Sequence, residues 1–195
     1  TAEAARETKA FIKKAGGDAT WDRLAEYLAH EESGREVFVI NRSFAAPIQR
    51  LYEYWTDPRK LVAWAPPTGF NMEYLSANIS PGGESTYRMQ GPHLVMHGRA
   101  NYRELSPPHR LVYTQQFTDE KGQISRHPLA PVWPETMLTV AEFTAEGPEQ
   151  TRVTLTWEPT GAVKPDELEA FARARAGMTA GWTGSFDKLE AELLR

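Results

Sequence analysis

Cysteine is absent from all 195 residues. This absence excludes disulfide bonds, thiolate nucleophiles and thiolate metal sites. Uncharged apolar runs are only a few residues long, far short of the roughly 20 residues that a membrane-spanning helix needs. The first residues, TAEAARETKAFIKKAGG, also lack the apolar stretch of a secretory signal. We therefore expect a cytoplasmic protein with no membrane partner.

An excess of positive charge is absent as well. The chain has 22 Lys and Arg residues against 26 Asp and Glu residues, and its formal net charge is −4. Binding to nucleic-acid phosphates requires clustered basic side chains, so we expect no nucleic-acid partner. The hydrophobic fraction of 41% is that of a globular chain, and the length suits one domain with an appendage. Six tryptophans indicate a large apolar interior, either filled or partly open.

Motifs for catalysis and for metal or nucleotide binding are also missing from the sequence. It contains no phosphate-binding loop, dinucleotide fingerprint, G-x-S-x-G elbow or H-E-x-x-H pair. His93 and His97 flank a Gly-Pro turn and a strand, where four residues span about 13 Å, too far for one metal ion. We predict no metal and no cofactor. For His97 a structural, a ligand-binding and a catalytic role all stay open, whereas His127 suits a solvated or loop-bracing role.

Residues 1–34 form a predicted helical extension ahead of the main domain. We expect helices over 3–14 and 20–30, because apolar residues recur at helical spacing. Neither helix is long enough to be stable alone, so both should dock on the main domain. The second helix is predicted to dock through Trp21, Leu24 and Leu28.

Residues 35–195 form the predicted main domain. It begins with an alternating strand at 35–44 and two short helices, the second started by an Asp57 cap and Pro58. Six strands bounded by Gly and Pro turns follow at 70–77, 84–90, 94–105, 110–118, 136–145 and 150–158. Their short connections predict an antiparallel meander. The long segment 123–135 interrupts this meander, and loops of that length are usually functional or disordered.

The chain closes with a predicted helix of about 30 residues that starts at Pro165. Gly177, Gly181 and Gly184 lie on one strip of this helix beside Trp182. Each glycine costs roughly 1 kcal/mol relative to alanine in a helix interior. Two explanations stay open: a neighbouring element packs closely against the strip, or the strip borders a cavity.

Five segments occur in the order found in a known family: FAAP (44–47), YEYWTDPRKLVAWAPP (52–67), SPGGESTYRMQGP (80–92), HGRANYRELSPPHRLVYT (97–114) and GWTGSFDKLEAELL (181–194). With these segments, the chain resembles the family named for the C-terminal domain of the heat-shock protein 90 ATPase activator. That family belongs to the START-like (SRPBCC, helix-grip) superfamily. The segment 117–138 resembles one bacterial branch of uncharacterised members. Family members often carry two adjacent tryptophans where this chain has Trp64 and Ala65.

The resemblance implies an α+β helix-grip fold, in which a curved antiparallel sheet wraps a long C-terminal helix and leaves a cavity between them. It implies non-catalytic binding of a small apolar or aromatic molecule in that cavity. Two alternatives stay open. One is an enzyme of the cyclase, dehydratase or hydrolase kind that uses the same cavity. The other is a co-chaperone-like interaction module with a protein partner or a second copy of the chain.

Candidate cavity residues lie on the helix pair, on strands of matching parity, in the long loop and on the closing helix. They are Trp64, Phe70, Tyr87, Met89, His97, Tyr113, Gln115, Trp133, Met178 and Trp182. Tyr87 and Tyr113 each offer a hydroxyl group that could orient a ligand. Trp55 and Trp157 are instead expected to be plain core residues.

Overall fold

The computed structural model describes Ala4, Glu7 and residues 17–195. The predicted helix over 3–14 therefore lies outside the described residues, apart from Ala4 and Glu7. The described elements are α1 (Gly17–Ser33), β1 (Phe38–Phe44), α2 (Ile48–Thr56), α3 (Pro58–Trp64), β2 (Asn71–Ser76), β3 (Glu84–Gln90), β4 (Val95–Ser106), β5 (Arg110–Thr118), β6 (Met137–Gly147), β7 (Gln150–Pro159), α4 (Pro165–Arg173) and α5 (Arg175–Leu193). No helix among these residues is long and apolar enough to cross a membrane.

Seven strands form one antiparallel sheet in the order β1-β7-β6-β5-β4-β3-β2. Strands β2 to β7 pair with their sequence neighbours, and β1 closes the sheet on the far side of β7. Irregular register within β2–β3, β4–β5 and β6–β7 marks bulges, which bend strands and increase their twist. The sheet is curved, and α5 packs across its concave face. The predicted meander and the helix-grip architecture are confirmed.

The helix pair α2 and α3 covers one end of the sheet because its apolar residues face inward. Leu51 and Trp55 of α2 and Trp64 of α3 are almost completely buried. Asp57 begins α3 as predicted, since its carboxylate accepts the Arg59 N–H at 2.9 Å. The two tryptophan rings lie 4.7 Å apart, which joins both helices to the core.

The C-terminal segment is two helices rather than the one predicted. α4 ends at Arg173, and Ala174 has ψ −1°, which interrupts the helix before α5 starts. Neither proline nor glycine occupies that position, so the sequence carries no signal for the break. The second helix is fixed on the main domain through Ser185, whose hydroxyl donates to the carbonyl of Ala65 at 3.0 Å.

Helix α1 docks through carboxylates rather than through the apolar residues that we predicted. Trp21, Leu24 and Leu28 are 70%, 44% and 48% exposed, so that prediction is wrong. Instead, Asp22 Oδ1 accepts the backbone N–H of Asn41 at 3.1 Å, and Glu26 Oε1 accepts that of Val39 at 2.8 Å.

These two contacts cover the outer edge of the sheet. Val39 and Asn41 lie on β1, which is an edge strand. Their N–H groups are separated by about 6.8 Å along the strand, and carboxylates four residues apart on a helix are separated by about 6 Å. The helix therefore satisfies two edge donors that could otherwise pair with another chain. Arg175 of α5 completes the attachment, with two nitrogens 2.6 and 2.8 Å from the Glu26 carboxylate.

Candidate functional site

A cavity of about 450 Å³ lies between the concave face of the sheet and α5. This volume is within the usual range for small-molecule sites. Helices α2 and α3 and the segment between β5 and β6 contribute further walls. The lining residues are Trp55, Leu61, Trp64, Ala65, Pro67, Met72, Tyr74, Tyr87, Met89, Met96, Ala100, Tyr102, Leu111, Tyr113, Gln115, Phe117, His127, Ala130, Trp133, Trp157, Ala174, Gly177, Met178, Gly181, Trp182 and Ser185.

Aromatic rings form the wall of the cavity beneath α5. Trp55 and Trp182 are stacked with an interplanar angle of 6° and centroids 6.3 Å apart. Trp157 meets Trp182 edge-on at 6.2 Å, and Trp133 lies 5.8 Å from Trp157. Such mutually packed rings hold flat apolar surfaces in fixed positions.

The three glycines of α5 divide between the two explanations that the sequence left open. A Cβ atom at Gly177 or Gly181 would have no neighbour within 4 Å, and both residues line the cavity. At Gly184 a Cβ atom would lie 2.5 Å from the Thr68 hydroxyl oxygen. Gly177 and Gly181 therefore border open space, whereas Gly184 permits close packing.

Hydrogen-bonding groups line the sheet side of the cavity. Tyr87 of β3 reaches across β4 above Gly98, and its hydroxyl interacts with the Gln115 side chain on β5. Thr139 donates to Gln115 Oε1 at 3.0 Å and also interacts with the Tyr113 hydroxyl. Position 98 must be glycine for this arrangement, because a Cβ atom there would be 2.5 Å from the Tyr87 oxygen.

The tyrosines of this cavity remain protonated well above neutral pH. Burial raises the pKa of Tyr87 to about 12, although its hydrogen bond with Gln115 acts in the opposite direction. Burial also raises the pKa values of Tyr74, Tyr102 and Tyr113. Their hydroxyl groups are therefore neutral donors and acceptors rather than bases.

The segment between β5 and β6 covers one side of the cavity and is held in place by Arg126. The Arg126 guanidinium donates to the carbonyl of Trp133 at 2.7 Å and lies 2.8 Å from the Glu167 carboxylate on α4. His127 lines the cavity, with its ring edge-on to Phe117 at 5.0 Å. Its Nδ1 atom accepts the Leu129 N–H at 3.1 Å, which confirms a loop-bracing role. Burial lowers the pKa of His127, which favours the neutral imidazole.

Most of the sequence-predicted cavity residues lie where we expected. Eight of the ten line the cavity: Trp64, Tyr87, Met89, Tyr113, Gln115, Trp133, Met178 and Trp182. Their parity on β3 and β5 placed the strand residues correctly on the concave face. Whether these side chains bind a ligand remains a prediction.

Phe70 and His97 lie outside the cavity lining. On β4 the inward positions are Met96, Gly98 and Ala100, so His97 is on the opposite face of the sheet. Phe70 precedes β2, and its ring lies against Gly91, where a Cβ atom would be 2.7 Å from the ring. Both expectations are therefore corrected.

Sequence reasoning missed several lining residues. Trp55 and Trp157 were expected to be plain core residues, yet both border the cavity as well as packing in the core. Tyr74 and Tyr102 share inward-facing strand positions with residues that were found, so strand parity could have identified them. His127 lies in an irregular segment without periodicity, which gives the sequence no means of placing it.

The fold and the cavity together define a helix-grip protein with a largely apolar cavity between its sheet and its C-terminal helix. The family model described as Activator of Hsp90 ATPase homolog 1-like protein matches residues 45–193. The chain therefore belongs to that family, as its resemblance indicated. Comparison with curated protein sequences gives no match.

Solved bacterial structures share this fold at low sequence identity. Protein Ms6760 from Mycobacterium smegmatis is 24% identical, with a TM-score of 0.66 over 80% of this chain and 90% of that chain. A protein from Arthrobacter aurescens is 22% identical, with a TM-score of 0.68 over 80% and 85%. An AHSA1 protein from Silicibacter pomeroyi is 18% identical, with a TM-score of 0.62 over 81% and 97%. These similarities establish the fold alone.

Proposed function

We propose that this protein binds a small hydrophobic or aromatic molecule in the cavity between the sheet and α5, without catalysing a reaction on it. One observation carries the proposal. Gly181 costs the helix roughly 1 kcal/mol relative to alanine, yet no atom outside its chain neighbours and its own stretch of helix backbone lies within 4 Å of where its Cβ would be. Close packing does not account for this glycine. The missing side chain leaves open space in a cavity that is lined by aromatic rings.

The chemistry of the lining supports binding over catalysis. An enzyme of the cyclase, dehydratase or hydrolase kind needs titratable groups that can exchange protons near neutral pH. The titratable groups that face the described cavity are tyrosines with raised pKa values and His127. The Nδ1 atom of His127 already accepts the Leu129 N–H. This arrangement supports orientation of a ligand by hydrogen bonds.

The open volume also favours a small-molecule ligand over a purely protein-interaction role. We expected an interaction module to have a nearly filled interior together with an exposed apolar patch. Trp21, Tyr27 and Leu28 of α1 do expose apolar surface, but the cavity beneath α5 is open.

Mass spectrometry of the purified protein tests this proposal. Native spectra should show the chain with an additional small mass, and denaturing spectra of the same sample should show the chain alone. Extraction with organic solvent should then recover the molecule for identification. A native mass equal to that of the bare chain, from cells that supply a wide range of apolar metabolites, would contradict the proposal.

A further inference from the structure

The cavity lining carries no formal charge. None of its described residues is Asp, Glu, Lys or Arg. The tyrosines are held in their protonated form, and burial disfavours the charged form of His127. An ion that entered this chamber would lose its hydration without gaining a countercharge, which is costly. The electrostatics of the lining therefore select an uncharged ligand.

The hydrogen bonds along the sheet have a defined direction. Thr139 donates its only hydroxyl proton to Gln115 Oε1 at 3.0 Å. The hydrogen bond between Gln115 and Tyr87 lowers the pKa of the phenol, which is the effect of an amide N–H donated to the phenolic oxygen. The Tyr87 oxygen consequently accepts from Gln115, and its own phenolic proton is left for an acceptor elsewhere.

Tyr87 borders the cavity, so a ligand there can accept that proton. Its ring lies on the concave side of Gly98, and Tyr87 is one of the residues that line the cavity. The stacked rings of Trp55 and Trp182 line the same cavity. A hydroxyl donor and flat aromatic surfaces in one cavity form a site with two distinct requirements.

We propose that the ligand is an uncharged, largely aromatic molecule with a hydrogen-bond acceptor, such as a ketone or ether oxygen, that accepts the phenolic proton of Tyr87. This inference rests on the proposed binding function and specifies its ligand class. The tryptophan wall binds the rings, Tyr87 fixes their orientation, and the absence of a countercharge in the lining excludes acids and amines.

Three naphthalenes of nearly equal shape separate these requirements. They are 2-acetylnaphthalene, which has a ketone acceptor, 2-ethylnaphthalene, which has none, and 2-naphthoate, which is an anion. Isothermal titration of the full chain should give a Kd for the ketone roughly three- to tenfold lower than for the ethyl compound, as expected for one neutral hydrogen bond. The naphthoate should bind at least about tenfold more weakly than the ethyl compound.

Two variants assign the preference to Tyr87. In Tyr87→Phe the ketone and ethyl compounds should bind with Kd values within about twofold of each other, with the ethyl value close to that of the wild type. Tyr27→Phe, which changes an exposed tyrosine on α1, should keep the wild-type preference. Equal wild-type affinity for all three compounds, or tightest binding of the naphthoate, would overturn the ligand class and leave the binding function standing. Binding of none of the three would overturn both.

Discussion

The hydroxyl of Tyr87 lies over Gly98 so closely that a Cβ atom at position 98 would be 2.5 Å from the phenolic oxygen. The glycine on β4 is thus what lets a side chain of β3 reach Gln115 on β5. This contact joins three strands on the floor of the cavity.

Replacing Gly98 should therefore disturb the cavity floor. We expect Gly98→Ala to destabilise the protein by about 1–3 kcal/mol, because the tyrosine ring must move out of its present position. Urea unfolding measures the change. Gly147→Ala is the matched control, since a Cβ atom there has no neighbour within 4 Å. In a Tyr87→Leu background the cost of Gly98→Ala should largely disappear, and full additivity of the two changes would contradict the account.

The docking of α1 on the edge strand β1 leads to a separate prediction. In the double variant Asp22→Ala/Glu26→Ala, the N–H groups of Val39 and Asn41 lose their acceptors on α1. We expect faster amide hydrogen exchange at both positions and self-association through the exposed edge, measured by light scattering.

A control for this variant is available on the same helix. Glu31→Ala/Glu32→Ala removes two exposed carboxylates and should leave both exchange and molecular mass unchanged. Unaltered exchange at Val39 and Asn41 in the first variant would show that α1 does not cover the edge in solution.

Deleting residues 1–34 should likewise lower the stability of the protein and leave the main fold intact, which tests the predicted domain boundary.

The Asp57 cap gives a prediction for acidic pH. Hydrogen bonding from the Arg59 side chain, together with its backbone N–H, lowers the pKa of Asp57 to about 2. The stability that this carboxylate adds to the folded state is fully present above about pH 3.9, its pKa in the unfolded chain. That stability is lost as the pH falls toward 2. Asp57→Ala should cost about 1 kcal/mol at neutral pH, and Asp57→Asn much less, because asparagine also caps helices. Equal losses in both variants, measured by urea unfolding, would contradict the capping role.

The buried phenols give a prediction for alkaline pH. Tyr74, Tyr87, Tyr102 and Tyr113 have raised pKa values in the folded state. Their folded forms stay protonated while the unfolded chain ionises near pH 10, so the folded state should lose stability as the pH rises above about 10. Tyrosinate absorbance of the folded protein should show fewer than the seven phenols that titrate in urea. Titration of all seven near pH 10 in the folded protein would show that the cavity floor is wet.

Strand alternation and turn residues predicted the sheet and four of the strand residues that line the cavity, which are Tyr87, Met89, Tyr113 and Gln115. These signals are local, since parity alone places Tyr87 and Met89 on one face. The interruption at Ala174 and the position of His127 depend on tertiary packing, so no local pattern indicates them. The docking of α1 was predicted wrongly because apolar residues at helical spacing usually face a core. Here Asp22 and Glu26 of the same helix face the sheet edge instead, and Trp21 is 70% exposed.

The central claim is that the space beside Gly181 is a binding site, and Gly181→Leu tests it most directly. Leucine should occupy part of the cavity, and unfolding should be unchanged or shifted upward by up to roughly 1 kcal/mol, because leucine is a better helix former than glycine. Ala180→Leu is the control, as Ala180 is an exposed neighbour on the same helix. We predict that the uncharged fluorescent probe N-phenyl-1-naphthylamine binds the wild type and Ala180→Leu and fails to bind a folded Gly181→Leu variant. Undiminished probe binding by Gly181→Leu, or its destabilisation by overpacking, would contradict the account.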